Sequence, residues 1–318
     1  MPLTDDDSAI DPIVLKVLDA VPFRLTLADG VEAARRAMRD LPRRPVYPDL
    51  PSEDRVIDGP GGDLPVRIYR PPSADNGPAP VVVFFHGGGF VAGDLDTHDG
   101  TARQHAVDAD AVVVSVDYRL APEHPFPAAV EDALAATEWV AAHAGELGVD
   151  PARLAVAGDS AGGNLAAVVA QLARDAGGPE IAFQLLWYPA TTYDITLPSF
   201  TENAHAPIID RDAIAALTMA YAAGLDLSEP PPTLAPARAA SLAGLPPAYI
   251  AVAGHDPLRD DGIRYGELLS AAGVPVQVHN AKTLIHGYLG YAGVIPAATE
   301  AADRGLAALR TALRPAHS

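Results

Sequence analysis

Ser160 stands inside Gly158-Asp159-Ser160-Ala161-Gly162, between the apolar run Leu154-Ala155-Val156-Ala157 and an alanine-rich stretch. A serine at the tip of a tight strand-to-helix turn is exposed as a nucleophile, and flanking glycines let neighbouring chain approach closely. With 27 Gly and 10 Ser in 318 residues, a Gly-x-Ser-x-Gly pattern arises by chance about 0.07 times in such a chain, so the remaining machinery must be found elsewhere. Acyl transfer by serine needs a base for the hydroxyl proton, an acid to orient that base, and N–H donors for the developing oxyanion.

Each part has a place in the chain. Asp256 lies just past the apolar run Ala251-Val252-Ala253, and His286 follows the last strand-like run and precedes Gly287. Of the other histidines after Ser160, His279 falls within a predicted strand, His317 at the C-terminus, His205 in a long insertion, and His255 directly beside Asp256. Asp260 and Asp261 read more simply as charges at a helix start, where the dipole favours them. His86-Gly87-Gly88-Gly89-Phe90 comes directly after the apolar run 81–85. A glycine run there lets backbone N–H groups face an oxygen without Cβ atoms intruding, so Gly88 and Gly89 are expected donors with the Ala161 N–H as a third. One such donor contributes about 3 kcal/mol to transition-state stabilisation.

The elements that must hold these residues are legible from periodicity. Apolar, β-branched runs at 81–85, 111–116 and 154–157 read as buried strands, and 183–188, 249–253 and 276–279 continue them. Helical patterns at 97–107, 127–142, 161–173, 262–272 and 297–313 alternate with these runs, as in a parallel sheet covered on both faces. Upstream, 55–58 and 65–69 flank Gly59-Pro60-Gly61-Gly62 and predict an antiparallel hairpin at the sheet edge. Two segments break the alternation: residues 1–50, with helices expected at 12–20 and 30–39, and the insertion 190–236, with a helix at 210–222. Both are expected to form a lid over a core of residues 51–189 and 237–318.

Composition narrows the partners. The 41 acidic against 22 basic residues give a net charge of −19, which repels phosphate backbones and anionic bilayers. Nucleic acid is not expected as a partner. Without cysteine the chain has no disulfide, thiolate nucleophile or thiolate metal site. The first eleven residues lack the basic and apolar regions of a secretory signal, and no apolar run approaches the ~20 residues of a membrane span. The expected setting is cytoplasmic.

Together these motifs resemble the bacterial hormone-sensitive-lipase-like (family IV) carboxylesterases, which are α/β hydrolases. His86 to Phe90 resembles that family's HGGGF, Gly158 to Gly163 its GDSAGG, and Asp117-Tyr118-Arg119-Leu120-Ala121-Pro122-Glu123 its DYRLAPE. Asp256-Pro257-Leu258 and His286-Gly287 resemble the acid and base motifs. Two departures are Tyr288, where phenylalanine is usual, and Asp261, where glutamate often stands. The resemblance implies a mostly parallel eight-stranded sheet with helices on both faces and a helical cap, and the triad order serine, acid, histidine along the chain. It also implies Ser160, Asp256 and His286 as triad and Gly88, Gly89 and Ala161 as oxyanion hole. Hydrolysis of a small, short-acyl ester through an acyl-enzyme is expected, without metal or cofactor. The stretch 117–123 and His86 are expected to support the oxyanion loop, and Asp159 to take no part in catalysis. An amidase or peptidase using the same triad, or a ligand receptor of the same fold, are the alternatives. An exposed last strand near Val276 would permit a homodimer.

Overall fold

Alternate residues of the valine-rich runs are buried in different cores: Val81, Val83 and Phe85 join one, and Val82 and Phe84 the other. A strand apolar on both sides must be covered on both, and each valine or phenylalanine fully removed from water contributes about 1.5–3 kcal/mol. This burial dictates the layering. The computed structural model describes residues 9–314, so residues 1–8 of the expected cap segment and His317 lie outside the described residues.

The chain begins with α1 (Pro12–Ala20) and α2 (Val31–Arg39), followed by the hairpin β1 (Ser52–Gly59) and β2 (Gly62–Tyr69). Alternation follows through β3 (Ala79–Phe85), α3 (Asp99–Asp108), β4 (Val112–Val116), α4 (Ala128–Ala142), the short α5 (Ala144–Leu147), β5 (Val149–Asp159), α6 (Ala161–Ala176) and β6 (Phe183–Trp187). An insertion carrying α7 (Pro198–Glu202) and α8 (Arg211–Tyr221) precedes β7 (Ala248–His255), α9 (Arg259–Ala271), β8 (Val276–Ile285) and α10 (Pro296–Ala312). One eight-stranded sheet results, in the order β1-β2-β4-β3-β5-β6-β7-β8. The hairpin pairs antiparallel within itself and with β4, and every other pairing is parallel. Helices α4, α6 and α9 supply the core on one face, and α3 and α10 on the other.

Two differences from the sequence-based expectations concern boundaries and short elements. Strand β8 runs on to Ile285, because polar residues such as Asn280 and Lys282 alternate with buried Ala281 and Leu284 at the sheet edge. Expecting it to end at His279 followed the apolar run alone. Helices α5 and α7 are too short to leave a periodic signal.

The strand order turns back at β3, which has β4 on one side and β5 on the other. Phe85 at the end of β3 pairs with Gly158 near the end of β5. The loop after β3 and the turn after β5 are therefore neighbours, at the topological switch point where parallel sheets build their sites. The turn into α6 is very close-packed. A Cβ on Gly162 would strike the Phe85 carbonyl, and one on Gly158 would strike the Gly162 carbonyl. Ser160 itself adopts φ 56°, ψ −114°, a conformation costing about 1–3 kcal/mol. The Trp187 carbonyl holds it by accepting the Ser160 N–H at 2.8 Å. Gly162→Ala is expected to lower the unfolding free energy by about 3 kcal/mol, measured by urea denaturation; an unchanged midpoint and slope would show that α6 can move away from β3 freely.

Candidate active site

The three sequence-predicted side chains converge from three strand ends. Ser160 follows β5, Asp256 follows β7, and His286 follows β8 directly. His286 Nε2 lies 2.9 Å from Ser160 Oγ, and its Nδ1 lies 2.7 Å from Asp256 Oδ2. Because a carboxylate only accepts, Nδ1 carries the ring proton and Nε2 is left to accept from the serine hydroxyl. Asp256 is fully buried, and its other oxygen accepts the Leu258 N–H at 2.8 Å. The Tyr188 ring packs 4.7 Å from the imidazole and limits its rotation. Of the remaining histidines, His279 is half-buried on β8 and His205 is exposed in the insertion.

The glycine loop is fixed from several sides. The Gly87 N–H donates to Asp159 Oδ1 at 2.9 Å, the Tyr118 hydroxyl donates to the His86 carbonyl at 2.6 Å, and the Ala121 N–H donates to the Phe90 carbonyl at 2.8 Å. Val91 and Ala92 donate to the Gly88 carbonyl. Gly88 and Gly89 sit at φ +124° and +63°, where L side chains are strained, and their N–H groups take no part in the bonds that hold the loop. The Ala161 N–H belongs to the first turn of α6 and has no intrahelical acceptor. The His86 ring stacks on Tyr118 at 4.2 Å, and burial, with His98 nearby, pushes its pKa down to about 4. It is a neutral filler beneath the loop. From outside, Arg35 of α2 donates to the Val91 and Ala121 carbonyls and pairs with Glu123 at 2.7 Å. Its bonds hold the Glu123 carboxyl down to about 2.

The insertion closes over these groups. A cavity of about 450 Å³ opens beside Ser160, Ala161 and Gly89, walled by Tyr193, Ile209, Ile214, Leu217 and Leu258. Leu217 of α8 lies over Gly89, and Tyr221 stacks on Phe90 at 3.7 Å. The N-terminal segment is fastened to the same insertion: the Leu25 N–H donates to the Ile208 carbonyl, and Arg24 pairs with Asp210, which also caps α8. Among the described residues no group of three His, Asp or Glu is placed to hold a metal ion, and no helix is long and apolar enough to cross a membrane.

Two acids have roles that their sequence positions do not disclose. Asp159, for which no catalytic role is expected, has a positioning one: it is buried beneath the glycine loop and accepts from Gly87. Burial raises its carboxyl, but His98 3.6 Å away, His86 and the Gly87 N–H outweigh this and hold it below the usual range. Asp261 stands in the first turn of α9, as expected of a helix-start charge, and is also buried. It accepts from the backbone N–H and hydroxyl groups of both Thr191 and Thr192. Both sets of partners escape the sequence for one reason: an acid in the first turn of α9, or inside a tight turn, finds them through tertiary packing and carries no local mark of it. The pair Thr191-Thr192 at the mouth of the insertion is the only sequence hint.

Burial pushes the Asp261 carboxyl up to about 6, against the pull of the threonine donors. A carboxyl raised on folding favours the folded state while protonated, an advantage complete below the unfolded value of about 4 and lost as pH rises through the folded value. The stability difference between the native protein and Asp261→Asn is therefore expected to move against the native protein between about pH 4 and about pH 6. Paired thermal melts across pH 4–7 check this, and a difference independent of pH would show that Asp261 stays ionised throughout.

Comparison with known proteins agrees with this geometry. A family model described as alpha/beta hydrolase fold matches residues 82–290. Esterase LipI of Mycobacterium tuberculosis is 69% identical over 310 residues, covering 97% of each chain. Carboxylesterase NlhH of the same organism is 58% identical over 310 residues, covering 96% of each. Among solved structures, an esterase of Pyrobaculum calidifontis superposes with a TM-score of 0.85 at 37% identity, covering 95% of this chain and 98% of that one.

Proposed function

We propose a mechanism from the premise that this chain belongs to the α/β-hydrolase family, in its hormone-sensitive-lipase-like (family IV) branch, and is a carboxylic ester hydrolase. Ser160 is the nucleophile, His286 the general base and Asp256 the acid that fixes the imidazole. The observation that carries this reading is the unbroken chain from Ser160 Oγ through both ring nitrogens of His286 to Asp256. A non-catalytic receptor of this fold has no need of such a chain.

The steps follow from the tautomer. His286 Nε2 takes the hydroxyl proton as Oγ attacks the ester carbonyl, and the imidazolium that forms is stabilised by the buried Asp256 carboxylate. The carbonyl oxygen becomes an oxyanion within reach of the Gly88, Gly89 and Ala161 N–H groups, which are already oriented and cost nothing to reorganise. Collapse expels the alcohol, which leaves with the proton held on Nε2. Water then attacks the acyl-enzyme, giving a proton to His286 Nε2, and collapse releases the carboxylic acid as Nε2 returns that proton to Ser160 Oγ.

Residues 1–50 and 190–236 act in this reading as a cap. Support comes from the way α8 and its flanks roof the cavity beside Ser160; the short-acyl preference is carried over from the family resemblance. The edge position of β8, with Val278 exposed, supports pairing of two copies into a homodimer.

Ser160→Ala is expected to reduce kcat on a p-nitrophenyl ester by roughly 10⁴-fold or more, and Asp256→Asn by roughly 10³–10⁴-fold with little change in KM. Retained turnover in the serine variant would place the nucleophile elsewhere. On an acyl series, kcat/KM should peak among the short esters; a preference for long, emulsified chains would reject the short-acyl assignment.

A further inference from the structure

Asn164 lies one helical turn beyond Ser160, its N–H donating to the Ser160 carbonyl at 3.0 Å, and its side chain is wholly buried. The side-chain amide donates to the Ala190 carbonyl at 2.7 Å and to the Leu234 carbonyl at 2.8 Å. Two carbonyls leave no choice of amide orientation, since only an NH₂ group can face both. Ala190 is where the chain leaves the core for the insertion, and Leu234 is where it returns. One side chain therefore closes both stems of the insertion onto the helix that starts at Ser160.

The neighbouring bonds make this a neck. The Ala237 N–H donates to the Thr191 carbonyl, tying the stems to each other. Gln171, two turns along α6 from Asn164, donates to the Pro236 carbonyl at 2.7 Å. From α9, Asp261 grips Thr191 and Thr192. The carbonyl oxygen of the Asn164 side chain is buried and has no partner among the described residues, so the residue's polar work at this spot is donation alone. Asp or Leu, both close to it in size, cannot do that work. Beyond the neck, the insertion provides most of the cavity wall, including Tyr193, Ile209, Ile214 and Leu217.

We propose that Asn164 is a positioning residue that registers the insertion against Ser160 and so sets the depth of the acyl pocket and the acyl lengths the enzyme accepts. This rests on the serine-esterase reading above. With the neck intact, α8 is held at a fixed height over Gly89; with it loosened, the roof shifts while the triad, anchored on β5, β7 and β8, stays assembled.

The test compares wild type, Asn164→Asp and Asn164→Ala on p-nitrophenyl acetate, butyrate and octanoate, alongside phosphorylation of Ser160 by diethyl p-nitrophenyl phosphate with release of p-nitrophenolate. The expected result is a shift of about 10-fold or more in the acetate-to-octanoate ratio of kcat/KM, with a several-fold smaller change in phosphorylation. An unchanged ratio, or equal losses on every ester and on phosphorylation, would overturn the proposal in favour of a purely structural role in the elbow. If both variants fail to fold, Thr192→Val loosens the same neck from the Asp261 side. It should shift the ratio in the same direction, and Thr192→Ser should restore it; absence of either effect counts against the proposal. Failure of wild-type Ser160 to react with the phosphate would instead remove the esterase reading beneath it.

Discussion

The structure depends on how closely α6 can approach β3. At Gly158 and Gly162 there is no room for a single methyl group, because the Phe85 and Gly162 carbonyls occupy that space. This contact brings the chain into its helix so sharply that Ser160 must take a positive φ. It also sets the distance between the serine and the loop at the end of β3. A longer side chain at either glycine would separate Ser160 from Gly88 and Gly89 before it disturbed the bonds of His286 to Ser160 and Asp256. The strain at Ser160 is modest beside the valine-rich burial beneath it, which is why the fold can sustain it.

Electrostatics around this turn are handled by burial and pairing. The Asp256 carboxyl is fully buried, and it is tolerable there because His286 Nδ1 and the Leu258 N–H both donate to it. Asp159 meets the same problem with the Gly87 N–H, and the solution serves the site: the charge that needs a donor draws the glycine loop down onto the elbow. His86, neutral through burial, fills the gap between that loop and Tyr118. The surplus of acidic residues over basic ones takes no part in these contacts, and Arg35 spends its charge on Glu123 and two carbonyls outside the cavity.

What could be read from the sequence was whatever has a local period or a local motif. Buried strands with valine on both faces, an elbow bounded by glycines and a glycine run at a strand end each leave a pattern within a few residues, and the sheet, its edge hairpin and the convergence of Ser160, Asp256 and His286 follow from them. Strand β8 was underestimated because only three of its ten residues, Ala281, Leu284 and Ile285, are buried, and the polar Asn280, Lys282 and Thr283 end an apolar count at His279 before those buried positions are reached. The long-range partners of Asp159 and Asp261 escaped the sequence for a different reason. A carboxylate at a helix start is satisfied by the dipole as far as sequence can tell, whereas here Asp261 reaches 70 residues back to Thr191. Long-range satisfaction of a buried polar group has no sequence period.

The same reasoning separates residues that hold the triad from those that hold the pocket. Triad members sit on strand ends whose positions are settled by ladder bonds and two apolar cores, so they are hard to displace. The insertion lacks a ladder to the sheet and is joined to the core through its stems, through bonds of Ser199, Glu202 and Asn203 to the loop after β7 and the start of α9, through the Phe126 N–H donating to the Tyr221 carbonyl, through Arg24 and Leu25 of the N-terminal segment, and by packing of Leu217 and Tyr221 on the glycine loop. Of these, only the stems are fixed to α6 itself, by side chains buried within a few turns of Ser160. Pocket shape is thus governed by a small number of directional bonds and is free to vary between sequences while the chemistry stays put.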